Sequence, residues 1–564
     1  MKLIIREYIA SLKERKELDA MLPDLLSQMG LEVFSKPGIG GRQYGVDVAA
    51  YGSIDGKPKK VYLFSVKSGD LGRRDWDGDS LQDLRPSLNE ILDVYIPTHL
   101  PVEYESKPIE ICICFGGDLE ETVRANISQY EKKNTTDIIS LSEWGGERLS
   151  SLIEEHLLKE ELLPDEFRSL LRKSLALLDQ PDISYKNFSK LIKVITSKKI
   201  IKNSDAITIL RQLHLCLWIL FAWCRKANNI EAAYQSAEIT LLNAWEINKP
   251  FLGKKNKSAN AMHATLLHIQ NVYLQINIEF MEKKIIPNAN KLYALSNAVK
   301  SSCKVDINLK LFDILGRTAM CGIWILWQKQ NLETDNDAIT ETFNKEILKY
   351  CDTIKNIILN NPMLYSPYKD NQAIDISIAI WFLTIAIGND GFIEAWLSNL
   401  TKFCRFNFNM HSNYPCTLRE YYKLIEHPVN NSDSYRKKVT EGSILYPILA
   451  AYAAIFGFDD IYNEVHNFQK ESLTHCNFQL WYPDETTEDL FYTNNSIHGM
   501  TLSPLHVEKN KEKFLNQIFE ECHATSHFNE MSAYKYKVWP LILLGCRHYR
   551  MPVPLHFLEG FKSK

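Results

Sequence analysis

The hydrophobic pattern of this chain changes near residue 150, and this change constrains the fold more than any other feature. Up to about residue 145, apolar residues occur in short runs separated by Gly, Pro and Asp, as in β-strands. Beyond about residue 150, they recur at helical spacing almost to the end. At 564 residues, the chain is too long for one hydrophobic core. We therefore predict an α/β domain over residues 1–160 and an all-α region over residues 161–564, with room for two subdomains that meet near residues 330–370.

The first part of the chain predicts a mixed sheet flanked by helices. Strands are predicted at residues 31–34, 44–51, 60–67, 109–115 and 137–141, where β-branched and aromatic residues lie between turn residues. Helices are predicted at residues 3–12, 18–29, 81–94, 118–130 and 149–158. The resulting order is helix, three strands, helix, strand, helix and strand, which can be written αβββαβ.

The second part of the chain predicts a helical-repeat-like region, either an α-solenoid or an irregular bundle. Its helices are predicted at residues 167–178, 206–227, 230–247, 259–283, 309–328 and 373–400. No fixed repeat period is present in the sequence. Three apolar runs, at residues 213–224, 376–388 and 443–458, are shorter than the ~20 residues that span a bilayer. We interpret them as buried core helices and expect no membrane partner.

Charge and cysteine content narrow the possible settings. The net charge is only -4, so nucleic acid would have to be bound by local basic patches. The 12 cysteines form no CxxC pairs and have no regular spacing, which indicates reduced thiols and not a disulfide framework. The first residues lack the long apolar stretch of a secretory signal. We therefore expect a cytoplasmic protein.

Two charged residues in neighbouring apolar strands suggest a catalytic site. Asp47 follows a glycine-rich loop, and Lys67 ends the next predicted strand. A charge in an apolar strand is costly to bury unless it is paired or bound to a metal. Phosphodiester hydrolysis needs a divalent cation held by oxygen ligands. We predict that Asp47 and the backbone carbonyl of Val66 bind Mg²⁺ or Mn²⁺, and that Lys67 positions or deprotonates the attacking water. Alternatively, Asp47 caps a turn and Lys67 is a solvated strand end.

The same residues carry a resemblance to a known family. Gly45-Val46-Asp47 in one strand, Ser65-Val66-Lys67 in the next and the αβββαβ order resemble the PD-(D/E)XK superfamily of restriction-endonuclease-like proteins. The string at residues 43–47 is similar to one in nuclease effectors of bacterial antiphage defence systems, and residues 144–149 resemble their closing segment. The resemblance covers about residues 1–160. It implies a metal-dependent endonuclease, acting on DNA in antiphage defence, with a helical region that senses, regulates or assembles.

The sequence departs from the family pattern at one position. The second acid of the family lies two residues before the lysine, where this chain has Ser65. A hydroxyl is neutral and a weak ligand for magnesium. The resemblance also implies an acid from the first helices, for which Asp19 is the candidate and Glu17 the alternative. Pro23 could kink that helix.

Several further residues are expected to contact partners. The nucleic-acid-binding candidates are Arg42, Gln43, Lys60, Arg73 and Arg74. The resemblance and the long helical region also suggest a partner defence protein and a homo-oligomer. The competing hypothesis is a catalytically inactive scaffold, which binds nucleic acid or a protein partner with a nuclease fold. His263 and His268 stand five residues apart on a predicted helix and do not share a face, so they predict no metal site.

Overall fold

The chain forms two compact units, Met1–Tyr273 and Leu274–Lys564, in a computed structural model. The structure describes residues 2–12, 14–35, 43–78, 80, 82–157, 165–198, 200, 202–332, 337–429, 432–494, 496, 498–524 and 526–561. An α/β region with a five-stranded mixed sheet comes first, and the rest of the described chain is largely helical. The coarse fold class predicted above is therefore confirmed. The division of the chain at residue 160 stays a prediction.

One five-stranded sheet organises the first part of the chain. Its strands are β1 (Glu32–Ser35), β2 (Val48–Gly52), β3 (Lys60–Lys67), β4 (Ile109–Phe115) and β5 (Ile139–Trp144). They lie in the order β1-β2-β3-β4-β5. Strand β2 is antiparallel to both β1 and β3, whereas β3, β4 and β5 run parallel to one another. Parallel neighbours need long crossovers, and helices fill the segments before β4 and β5.

Helices surround this sheet and continue beyond it within the first unit. They are α1 (Lys2–Ser11), α2 (Asp19–Gln28), α3 (Arg73–Asp77), α4 (Leu84–Glu90), α5 (Ile96–Thr98), α6 (Glu121–Asn134), α7 (Gly146–His156), α8 (Asp165–Ala176), α9 (Pro181–Thr196), α10 (Asn203–Lys226), α11 (Glu231–Asn248) and α12 (Lys257–Phe280). Two π-helical segments, Glu14–Leu18 and Ile91–Tyr95, adjoin α2 and α4. Short 3-10 turns lie at Val102–Tyr104 and Lys249–Phe251.

The described part of the second unit is mostly helical and includes four short strands. Its helices are α13 (Ile286–Ala289), α14 (Ala294–Ala298), α15 (Lys304–Gln330), α16 (Asp337–Asn360), α17 (Ala373–Ile387), α18 (Phe392–Asn409), α19 (Tyr421–Glu426), α20 (Asp433–Val439), α21 (Leu445–Phe456), α22 (Asp459–Glu471), α23 (Thr487–Leu490), α24 (Lys511–Ala524), α25 (His527–Glu530), α26 (Ser532–Lys535), α27 (Pro540–Tyr549) and α28 (His556–Glu559). A π-helical segment lies at Met281–Ile285, and 3-10 turns lie at Pro362–Tyr365 and Asp370–Gln372. The strands are β6 (Gly442–Ser443), β7 (Asn477–Phe478), β8 (Leu480–Tyr482) and β9 (Met500–Leu502).

Buried apolar side chains cover both faces of the central strands. On one face, Val61 and Leu63 of β3 join Ile111 of β4 in a core that includes Leu88. On the other face, the Phe64 ring packs edge-on against Trp144, with ring centroids 5.0 Å apart. A strand that is buried on both faces has an almost continuous apolar sequence. For this reason the predicted bounds of β3 and β4 agree with the structure at both ends.

Glycine and turn conformations explain two differences from the predicted elements. The strand predicted from residue 44 begins only at Val48, because Tyr44 and Gly45 have φ angles of 49° and 80°. The helix predicted over residues 373–400 is two helices, α17 and α18. Gly388 and Gly391, with φ angles of 73° and 77°, lie between them and end the helical backbone.

Two described segments are long and apolar enough to cross a membrane by length and composition. They are Asn203–Lys226 and Asp370–Ile387. Most of each segment is buried within the protein. This burial agrees with the interpretation of the first two apolar runs as core helices. The third apolar run forms α21, whose residues are mostly buried as well.

Candidate active site

A tight turn brings Asp47 to the start of β2. The Val46 N–H donates to the Gln43 carbonyl at 3.1 Å, which closes a turn with Tyr44 and Gly45 in the left-handed region. The Asp47 N–H then donates to the Phe64 carbonyl at 2.8 Å. A Cβ added to Gly45 would lie 2.1 Å from the Ser87 carbonyl oxygen. Only glycine therefore fits this turn, and the turn fixes where the Asp47 side chain begins.

The Asp47 carboxylate reaches across to β3. Its Oδ2 accepts a hydrogen bond from the Val66 N–H at 2.7 Å. The pairing of Val48 with Phe64 in the β2–β3 register places Ser65 opposite Asp47 one position further on. Because alternate residues of a strand face the same side, Ser65 and Lys67 share a face. The structure thus brings together the residues that the sequence motif singled out.

Lys67 is held by two groups at this end of the sheet. Its Nζ donates to the Gln82 carbonyl at 2.8 Å and lies 3.5 Å from the Glu14 Oε1. Its side chain is only 12% exposed, so little solvent competes for the ammonium group. Glu14 lies in the π-helical segment before α2. No motif spacing in the sequence marks Glu14, so it was not among the predicted site residues.

Burial raises the pKa of Asp47 to about 6. The hydrogen bond from the Val66 N–H and the charge of Lys67 oppose this shift, whereas the charges of Glu14 and Asp19 add to it. Asp19 begins α2 and is 8% exposed. Two further carboxyl groups and one ammonium group therefore act on Asp47, so the site has a net negative charge when all are ionised. A divalent cation would relieve the mutual repulsion of the carboxylates.

The alternative acid of the first helices has a different role. Glu17 is 2% exposed, and its Oε1 lies 3.1 Å from the Nη1 of Arg225 on α10. Burial raises the pKa of Tyr8, and the charge of Glu17 raises it further. Helix α2 continues through Pro23. Because proline has no N–H, the Asp19 carbonyl at the start of α2, next to the π-helical segment, lacks its usual intrahelical hydrogen bond. The structure therefore favours Asp19 over Glu17 as the acid near Asp47.

The predicted nucleic-acid contacts do not all lie at this end of the sheet. Lys60 begins β3 and Lys67 ends it, which separates them by about 23 Å of extended strand. The Lys60 Nζ pairs with the Glu110 Oε2 at 2.9 Å. Lys60 is therefore far from Asp47, and its predicted contact with nucleic acid stays a prediction.

The other predicted contacts lie nearer in the chain to the site. Gln43 is partly buried in the turn before Asp47. Arg73 and Arg74 are exposed at the start of α3, in the segment that follows β3. Arg42 lies outside the described residues. The contacts predicted for these residues with nucleic acid stay predictions.

The acids near Asp47 have the chemistry that suits a hard divalent cation, because carboxylate oxygens are the ligands that Mg²⁺ and Mn²⁺ prefer. Asp47, Asp19 and Glu14 do not, however, place three oxygens within 4.8 Å of one another in the described structure. The Val66 N–H donates to Asp47, and metal binding by the Val66 carbonyl stays a prediction.

Comparisons with known proteins gave no match to a family model, to a curated protein or to a solved structure.

Proposed function

We propose that this protein is a metal-dependent endonuclease with a restriction-endonuclease-like domain of the PD-(D/E)XK type, and that it cleaves DNA. The observation that carries the proposal is the Asp47 carboxylate, bonded to the Val66 N–H, beside Lys67 and two further acids. The αβββαβ order and the mixed sheet also agree with the resemblance stated above. A role in antiphage defence, a partner defence protein, self-assembly and cytoplasmic location are proposed from the same resemblance.

Asp47 would hold the Mg²⁺ or Mn²⁺ ion, and Asp19 and Glu14 would join it after their side chains move closer. The bound ion would supply charge that polarises the scissile phosphate and lowers the pKa of a water. Lys67 would orient the attacking water and neutralise the charge that develops on the phosphate. It can do so only if its Nζ leaves the Gln82 carbonyl or shares its protons. Glu14 would then take the place of the acid that Ser65 does not supply.

The proposal is tested on supercoiled plasmid DNA with the purified full chain. We expect cleavage with Mg²⁺ or Mn²⁺ and none with EDTA. Asp47→Ala should abolish cleavage, and Lys67→Ala should reduce it by about 100-fold or more. Lys60→Ala is the matched control, because this lysine begins the same strand, far from the site. Cleavage that survives both site substitutions would refute the assignment. An RNA substrate in parallel distinguishes the two nucleic acids.

A scaffold without catalysis is the second candidate function. Two observations favour it: Ser65 replaces an acid, and Lys67 is already bonded to Gln82 and Glu14. A scaffold would bind DNA equally well as wild type and as Asp47→Ala, and no variant would cleave it in either metal. Binding measured by fluorescence anisotropy, beside the plasmid assay, separates the two functions.

A further inference from the structure

Three helices of the first unit bring one carboxylate and two imidazoles together away from Asp47. Asp24 lies on α2, His214 on α10 and His268 on α12. One ligand atom from each residue lies within 4.8 Å of the other two. The Asp24 Oδ2 is 3.2 Å from the His268 Nδ1 and 3.8 Å from the His214 Nδ1. Both nitrogens therefore converge on one carboxylate oxygen.

We propose that Asp24, His214 and His268 form a binding site for a transition-metal ion of the Zn²⁺ class. Two imidazole nitrogens and one carboxylate oxygen are a donor set for such ions, whereas Mg²⁺ prefers oxygen ligands alone. Zinc bonds of about 2.0–2.2 Å imply ligand atoms roughly 3.5 Å apart in a tetrahedral site. The two distances to Asp24 bracket that separation, so small side-chain movements would complete the triangle.

The surroundings of the cluster are compatible with a bound cation. Asp24 and His214 are 8% and 4% exposed, and burial lowers the pKa of His214 to about 4, so its ring is neutral at pH 7. The Arg211 Nε lies 3.8 Å from Asp24 Oδ1, whereas the two histidine nitrogens approach Oδ2. Arg211 also donates to Gln28 at 2.9 Å. The His268 side chain is 25% exposed, so water can reach a remaining ligand position.

The position of this site gives it a structural role. Asp24 follows Asp19 on the same helix, and Asp19 is one of the acids near Asp47. An ion shared by α2, α10 and α12 would fix α2 against the two longer helices. The site does not depend on the proposed nuclease activity, because none of its three ligands lies at the end of β3.

The test compares metal content in full-length variants made without a histidine tag. Each protein is loaded with Zn²⁺, desalted and measured by inductively coupled plasma mass spectrometry. We expect His268→Ala to bind about one Zn²⁺ fewer per chain than wild type. His263→Ala is the matched control, because His263 lies on the same helix but contacts Asn248 at 3.2 Å. It should keep the wild-type zinc content.

A second readout does not depend on metal counting. Zn²⁺ should raise the thermal midpoint of wild type and of His263→Ala relative to EDTA, and the added rise should be missing in His268→Ala. His268 is the partly exposed ligand, so its replacement is the one least disruptive to folding. Equal zinc content in wild type and a folded His268→Ala would overturn the proposal. The cluster would then be a metal-free set of hydrogen bonds around Asp24.

Discussion

At the scale of single residues, the charge of Asp47 depends strongly on its surroundings. Its pKa is about 6 in the folded protein against an ordinary value of 3.8, because burial disfavours the ion more than the Val66 N–H and Lys67 stabilise it. At pH 7 the carboxylate is ionised in both the folded and the unfolded chain. Its ionisation therefore opposes folding at neutral pH, and this cost disappears once the pH falls below 3.8.

Asp47→Asn should consequently stabilise the protein at neutral pH while it removes a proposed metal ligand. The amide oxygen can still accept from the Val66 N–H, so only the charge is lost. In EDTA at pH 7 we expect a gain of about 1–3 kcal/mol in the free energy of unfolding. The gain should shrink as the pH falls below about 6 and vanish below 3.8. Denaturant titrations across this range measure it.

The control for this measurement is Asp55→Asn. Asp55 is exposed in the turn between β2 and β3, so its neutralisation should change stability by less than about 0.5 kcal/mol. A variant Asp47→Asn that is less stable than wild type at pH 7 in EDTA would contradict the account of the site.

The burial of Asp47 also predicts that Mg²⁺-dependent cleavage falls as the pH drops below about 6, because protons then compete with the cation for Asp47.

Ser65 is the second residue whose replacement is informative. It is 1% exposed and opposite Asp47 in the strand register, at the position where the resembled family has an acid. Ser65→Asp should lower the Mg²⁺ concentration for half-maximal cleavage by about tenfold, because it adds a charged oxygen ligand. Ser65→Asn, of similar volume but neutral, is the control. A Mg²⁺ requirement equal in both variants would mean that position 65 does not face the cation.

At the scale of elements, the turn before β2 is the part of the site that tolerates least change. Gly45→Ala would place a methyl group against the Ser87 carbonyl oxygen at a φ of +80°. We expect a loss of about 3 kcal/mol in unfolding free energy, together with loss of cleavage. Gly56→Ala is the matched control, since Gly56 also has a positive φ but nothing within 4 Å of the added carbon. It should cost only about 1 kcal/mol. Equal losses in both would show that the close approach to Ser87 is unimportant.

The same elements show why some features could be predicted from the sequence and others could not. Strands β3 and β4 are continuous apolar runs, so their position, bounds and burial follow from local pattern. The late start of β2 was missed because a non-glycine residue, Tyr44, adopts a left-handed conformation. Such a conformation depends on the tertiary setting of the turn, which residue spacing does not reveal.

Residues that meet only through folding were also missed. Glu14 lies in a π-helical segment with no motif of its own, and its distance to Lys67 depends on how that segment approaches the sheet. The spacing of His263 and His268 on one helix predicted no metal site. The neighbours of His268 in the structure, Asp24 and His214, come from two other helices. A pattern search along one helix cannot detect a cluster of this kind.

At the scale of the whole molecule, the sheet and the helices that follow it belong to one compact unit. Met1–Tyr273 contains the five-stranded sheet and helices α8 to α11 as well as most of α12. Buried polar contacts tie the two parts together: Glu17 pairs with Arg225, and Gln28 contacts both Thr208 and Arg211. Whether the chain has a domain boundary near residue 160 therefore depends on whether residues 1–160 unfold independently of the helices that follow. The unfolding of fragments can test this.

We expect a fragment of residues 1–273 to unfold in one cooperative transition and a fragment of residues 1–160 to be unstable or aggregated. In the shorter fragment Glu17, which is 2% exposed in the full chain, would lose its partner Arg225. Removing one member of a buried ion pair costs about 3–5 kcal/mol, a large share of the stability of a small domain. Helix α1 would also lose its packing against α10.

Circular dichroism melts and hydrogen exchange of the two fragments measure this difference. Arg225→Met in the full chain serves as the internal comparison, since it removes the same partner without removing α10. If residues 1–160 alone gave a sharp thermal transition and full amide protection in β3 and β4, the sheet region would be an independent domain. The contacts of α10 with α1 and with Glu17 would then be a docking surface between two separately folded parts.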